Sequence, residues 1–133
     1  MHKLMLLTVV VAIGSASPAS AGYINNKAEW NRLDDKHSYV MGVFDGLAVS
    51  TSDSKEDQAY FFGWNRCSQE NGLTSLEFVQ MVDQVYAEDV SNWSLPPLSM
   101  MLKGLNRLCV TQLNEEREDL GLPPLPGANA GQR

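Results

Sequence analysis

The sequence predicts an all-α fold, a small bundle of about four helices stapled by one disulfide and preceded by a cleaved signal peptide. Three observations carry that expectation. Apolar residues recur at three- and four-residue spacing, the period of a helix face, and not in the alternation of a strand. Helix-start signatures stand at Asn26 and at Thr74. The two cysteines of the chain, Cys67 and Cys109, bracket its two best-marked helices.

Residues 1–21 have the three parts of an export leader: Lys3, an apolar or small run from Leu4 to Ile13 broken only by Thr8, and Ala19-Ser20-Ala21 as an A-x-A cleavage site. That run is too short to span a bilayer, and no later run is longer. The expected location is the bacterial periplasm, with no membrane span. An oxidising compartment favours a disulfide between Cys67 and Cys109 over a metal site.

The domain is expected over 22–114. Asn26-Lys27-Ala28-Glu29 gives the first capping signature, and Trp30, Leu33, Val40, Phe44 and Leu47 follow near helical spacing, with His37 on the same side. This stretch is either one long helix or two broken near Asp34-Asp35. Inside it, Gly42 and Gly46 each cost about 1 kcal/mol relative to alanine. Tyr39, Gly42, Asp45 and Gly46 are therefore assigned to close helix packing, with Gly42→Leu expected to lower thermal stability sharply. Ser50 to Asp57 is polar and reads as a surface loop. Ala59-Tyr60-Phe61-Phe62-Gly63-Trp64 is the densest aromatic cluster, read as core over the adjacent disulfide ahead of a ligand or client site.

Thr74 and Glu77 form a capping box, flanked by Leu73 and Phe78 as a staple, and open a helix that should end near Glu88 with Phe78, Val82 and Val85 on one face. Pro96 and Pro97 can stand only before a helix or in its first turn. Leu98, Leu102, Leu105 and Cys109 then make the next apolar stripe, with Met101 and Leu108 beside it. A Cys67–Cys109 bridge would stabilise the fold by about 4 kcal/mol on the chain-entropy model. The helix can continue to Leu113. Residues 115–133, a charge run from Glu115 to Asp119 and then Pro- and Gly-rich sequence, are expected to be a disordered tail with some polyproline character.

Little in the chain points to catalysis. Past the leader there is one histidine, His37, and both thiols are expected to be oxidised, so no nucleophile has a base within reach. His37 with Asp34 and Asp35 lacks the spacing of a metal site. Asp53, Glu56 and Asp57 are more readily a solvated loop than an acid–base pair. Asn92-Trp93-Ser94 matches a glycosylation acceptor, which matters only in a eukaryotic pathway. The expectation is a non-enzyme without cofactor or metal. A formal net charge of −6 argues against nucleic acid or anionic membrane as partner and is compatible with a basic protein.

Tyr39-Val40-Met41-Gly42-Val43-Phe44-Asp45-Gly46, then Cys67, then Gly72-Leu73-Thr74 opening a helix with Val82 and Tyr86, then Leu95-Pro96 and a helix ending at Cys109 form an ordered set. In that order and spacing they resemble the Rap/Tai family, the periplasmic immunity proteins of type VI secretion amidase effectors. The resemblance covers roughly residues 28–110. Family members typically carry a further cysteine pair, absent here, and a proline where Ser68 follows Cys67. The resemblance implies a small all-helical protein, often a homodimer, that sterically blocks a peptidoglycan amidase. Asp53, Glu56 and Asp57 are nominated as its contact surface, where an acidic inhibitor would gain association rate against a basic effector. Two other readings stand beside it: a periplasmic acid-stress chaperone of the Hde type, and an exported structural domain with the same fold.

Overall fold

The computed structural model describes residues 24–49 and 53–126, the side chains of residues 48 and 49 excepted. The expected leader at 1–21 and the end of the expected tail at 127–133 lie outside the described residues. Six α-helices and one 3₁₀ turn follow one another: α1 (Lys27–Arg32), α2 (Lys36–Val49), α3 (Lys55–Glu70), α4 (Ser75–Glu88), the turn Val90–Ser94, α5 (Pro97–Leu108) and α6 (Val110–Asp119). Among the described residues there is no strand, and no helix is long and apolar enough to cross a membrane. The bundle is all-α as expected, with six helices where the sequence suggested about four.

The extra helices come from two breaks. Leu33 leaves the helical region, and the Asp35 carboxylate then takes the Ser38 amide at 2.9 Å, so the Asp34-Asp35 pair divides the first segment into α1 and α2. At Cys109 the backbone (φ −99°, ψ 13°) kinks the chain, although Cys109 N still donates to Leu105 O at 2.8 Å and Leu113 N to Cys109 O at 2.9 Å. The Cys67–Cys109 disulfide joins the end of α3 to that kink.

Local signals place the helix ends. Asn26 accepts the Glu29 amide at 3.0 Å to start α1. Thr74 and Glu77 form the reciprocal capping box at the head of α4. Both α3 and α6 end in a Schellman closure on a glycine with positive φ: Leu73 N donates to Ser68 O after Gly72 (φ 60°), and Leu122 N to Arg117 O after Gly121 (φ 73°).

The core is Trp30, Val40, Cys67, Phe78, Val82, Val85, Tyr86, Met100, Met101, Leu105, Cys109 and Leu113. Helix α3 packs on α6, and α4 packs on α5 and α2. Glycine sits at two of these crossings. A Cβ on Gly63 would lie 2.7 Å from Leu113 Cδ2 and 3.0 Å from its Cα, and one on Gly104 would fall inside the Met81 side chain.

Several expectations are corrected. Gly42 and Gly46 are exposed, and a Cβ at either meets nothing within 4 Å, so among the described residues they are not close-packing glycines. Asp45 is exposed beside them, while Tyr39 is half-buried with its ring edge-on to Trp30 at 5.8 Å between centroids. The buried face of α5 is turned by about one residue, to Pro97, Met100, Met101, Gly104 and Leu105, leaving Leu108 exposed. The expected loop ends at Ser54, which caps α3, so Glu56 and Asp57 belong to the helix's first turn.

The charge run is helical to Asp119, and three of its residues are cross-linked to α3. Arg66 pairs with Glu115 and with Glu116, and Arg117, nearly buried, binds Glu56 through two nitrogens. Arg117 Nε also donates to Pro123 O at 2.6 Å, and the Leu125 amide donates to Asn114 Oδ1 at 2.8 Å. Residues 120–126 therefore fold back on the bundle, with Leu125 packed against the core.

Candidate functional site

Between α4 and α5 the chain must turn without burying its carbonyls unpaired. It does so with side chains. Asp89 accepts the Ser91 amide at 2.8 Å, the buried Asn92 amide donates to Val85 O at 2.8 Å, and Lys103 Nζ closes the other end of that amide at 2.7 Å. The Trp93 indole donates to Tyr86 O at 2.9 Å, and the Tyr86 hydroxyl donates to Leu95 O at 2.7 Å. Five side-chain hydrogen bonds thus fix the turn, one capping its start and four tying the segment from Asn92 to Leu95 to α4 and α5.

What the pins hold outward is apolar. Val90 is 70% exposed, Trp93 49% and Leu95 37%. Their solvation is an unfavourable state that burial against a partner would relieve. Beside Trp93, the start of α1 forms an open shelf of about 720 Å³ lined by Asn26, Lys27, Ala28, Asn31, Trp93 and Ser94. The Lys27 ammonium lies 4.1 Å from the Trp93 ring centroid.

The electrostatics follow from the same bonds. The Ser91 amide and hydroxyl hold the Asp89 carboxyl below its usual range, so the cap is charged at neutral pH. Burial, with a smaller contribution from Tyr39, pushes the Tyr86 hydroxyl up to about 12, which keeps it a donor to Leu95 across the physiological range. Both amide ends of Asn92 are occupied and the residue is 5% exposed, so the glycosylation pattern at Asn92-Trp93-Ser94 is closed in the folded chain.

The residues singled out from sequence lie elsewhere. Asp53, Glu56 and Asp57 are exposed at the start of α3, but Glu56 is bound to Arg117. Tyr39, Gly42, Asp45 and Gly46 lie on α2. His37 shares a 3.0 Å hydrogen bond with Ser75 Oγ, and Asp35 is spent on capping α2, held below the usual carboxylate range by the Ser38 hydroxyl. Among the described residues, no three His, Cys, Asp or Glu are grouped as metal ligands. The aromatic cluster divides: Tyr60 and Trp64 pack on the core, Trp64 also donating to Asn106 at 3.0 Å, whereas Phe62 is 49% exposed.

No family model matches the chain, and no curated protein or solved structure does so either. The Trp93 turn itself was passed over as a helix entry. Its one sequence signal is the placement of Val90, Trp93 and Leu95 among Asp, Ser and Asn, next to two prolines.

Proposed function

We propose that this chain is an exported protein-binding domain that protects its producing cell, seating the Trp93 turn in the cleft of a peptidoglycan amidase and excluding substrate. The observation that carries this reading is the turn: three exposed apolar side chains on a segment pinned by five side-chain hydrogen bonds. A segment already fixed loses little conformational freedom on binding, and a tryptophan at the centre of a contact is a common energetic anchor. The inhibitor contributes no chemistry in such a block. The resemblance to amidase immunity proteins supplies the class of target, and the export leader supplies the compartment in which that target acts.

The test is capture of partners by the mature, oxidised protein from periplasmic and secreted fractions, followed by a cell-wall digestion assay. One stoichiometric peptidoglycan hydrolase, inhibited on binding, is the expected result. Absence of any hydrolase among the captured proteins would contradict it.

A second reading, the acid-stress chaperone, has one observation behind it. Helix α6 is tied to α3 by ion pairs, Glu56 to Arg117 and Glu115 and Glu116 to Arg66, whose loss would free one helix from the other. The disulfide would keep the loosened chain closed. Capture of many unrelated proteins near pH 2 to 3, and of none at neutral pH, would favour it.

A further inference from the structure

In an acidic protein the cations are normally spent, and here all but one of the described lysines and arginines meet a protein oxygen. Arg66, Arg107, Arg117 and Lys36 face carboxylates, and Arg32, Lys55 and Lys103 donate to carbonyl or amide oxygens. Lys27 is the exception. Its ammonium rests on the face of Trp93, 4.1 Å from the ring centroid, and none of the ion pairs among the described residues includes it.

The surroundings fit an incoming carboxylate. Lys27 lies in the open shelf between α1 and the Trp93 turn, with Asn31 and Ser94 as further hydrogen-bonding walls and Ala28 leaving the space clear. Lys36, the other lysine over a tryptophan (4.9 Å from the Trp30 ring centroid), already has Asp83 at 3.9 Å as its counter-charge. Among the described residues, the same pairing at Lys27 has no acid.

We infer that the shelf takes an Asp or Glu on a loop of the partner protein, which pairs with Lys27 while Trp93 enters an apolar socket beside it. This rests on the proposed protein-binding function and adds the partner's chemistry: an apolar pocket with an acidic residue on its rim. The acid fixes register, because a charge-assisted hydrogen bond to the ammonium forms only at about 2.7–2.9 Å and is lost when the partner is displaced by a few ångströms.

The sign of the effect separates this local pair from the field of the whole molecule. With a net charge of −6, long-range steering toward a basic partner would be strengthened by removing a positive charge. Pairing at Lys27 predicts the reverse. Against the captured amidase, Lys27→Glu should weaken affinity by about tenfold or more, Lys27→Met by less, and Lys27→Arg should restore most of it. Melting temperatures of the three variants show whether the fold is kept. The experiment is a calorimetric or surface-binding titration of the full mature chain, with a parallel titration of soluble muropeptide, a carboxylate-bearing glycan fragment.

Weakening by Lys27→Glu with rescue by Lys27→Arg, in variants that melt like the parent, supports the inference. An amidase that binds all three variants within about twofold, or binds Lys27→Glu more tightly, overturns it and leaves the protein-binding reading standing. Lys27-dependent binding of muropeptide with unchanged amidase affinity also overturns it, making the shelf a glycan site. A parent protein that captures no partner at all overturns both.

Discussion

The Trp93 turn and the first turn of α3 both stand at the surface, but their exposed groups are differently employed. At α3, the acidic residues serve the fold: Glu56 holds the nearly buried Arg117, which in turn holds Pro123, and Lys55 donates to Leu120 O at 3.0 Å. At the Trp93 turn, the polar groups are used internally and the apolar ones are left over. Charge that is already paired has little to offer a partner, whereas apolar area held in water does. A docking surface is better sought where the fold leaves something unsatisfied than where the residues are merely charged and exposed.

Crossed substitutions would break that distinction most visibly. Glu56→Ala takes the acid from the nearly buried Arg117 guanidinium and, because Glu56 itself is half exposed, is expected to cost about 2 kcal/mol in urea unfolding, with partner affinity unchanged. Loss of affinity without loss of stability would return Glu56 to the contact surface. Trp93→Ala should do the opposite, lowering affinity by about thirtyfold, or roughly 2 kcal/mol, while unfolding free energy falls by only about 1 kcal/mol for the lost bond to Tyr86 O. A variant that binds like the parent would remove the turn from the interface.

The glycines sharpen the same contrast between groups the fold uses and groups it leaves free. Gly63→Ala forces a Cβ against the Leu113 backbone and is expected to destabilise by about 1–3 kcal/mol. Gly42→Ala adds a Cβ in open space on a helix and should raise stability by up to about 1 kcal/mol. A lower melting temperature for Gly42→Ala would mean that α2 is packed against something, a second copy included.

The smallest effect concerns pH. Asp35, Glu77 and Asp89 are each held below the usual carboxylate range, chiefly by hydrogen bonds from the Ser38 hydroxyl, the Thr74 hydroxyl and the Ser91 amide. A depressed folded value contributes stability that is present above the unfolded carboxyl pKa of about 4 and is lost as pH falls through the folded values. Melting temperature should therefore be level at neutral pH and decline below about pH 4, with a shallower decline in Thr74→Ala and Asp89→Asn. Identical acid slopes in the parent and both variants would contradict the assignment.

Features decided within one helical turn were readable from the sequence. The Thr74–Glu77 box, the Asn26 cap and the proline entry to α5 all join residues a few positions apart, and the disulfide had one pairing available. Features decided across the fold were not. The charge run reads as the start of a disordered tail until Arg66 is brought to Glu115 and Glu116 from 49 and more positions away, and Arg117 to Glu56 across 61. The α2 glycines have the same four-residue spacing whether they face a helix or water, and a turn of about 100° in α5 exchanges Leu108 for Met100 and Gly104 in the core without changing the period. The Trp93 turn was missed because its pins reach back seven positions to backbone carbonyls of Val85 and Tyr86, which carry no residue signature.

The central claim is that this turn, and neither the acidic start of α3 nor the open strip of α2, is the surface that meets a partner. Hydrogen exchange of the mature protein, free and in complex with a captured hydrolase, tests it directly. Docking through the turn predicts slower exchange over residues 89–95 and the start of α1, with no change over Gly42–Gly46 or 53–57. Protection confined to Gly42–Gly46 or 53–57, with the turn exchanging as it does in the free protein, would contradict it.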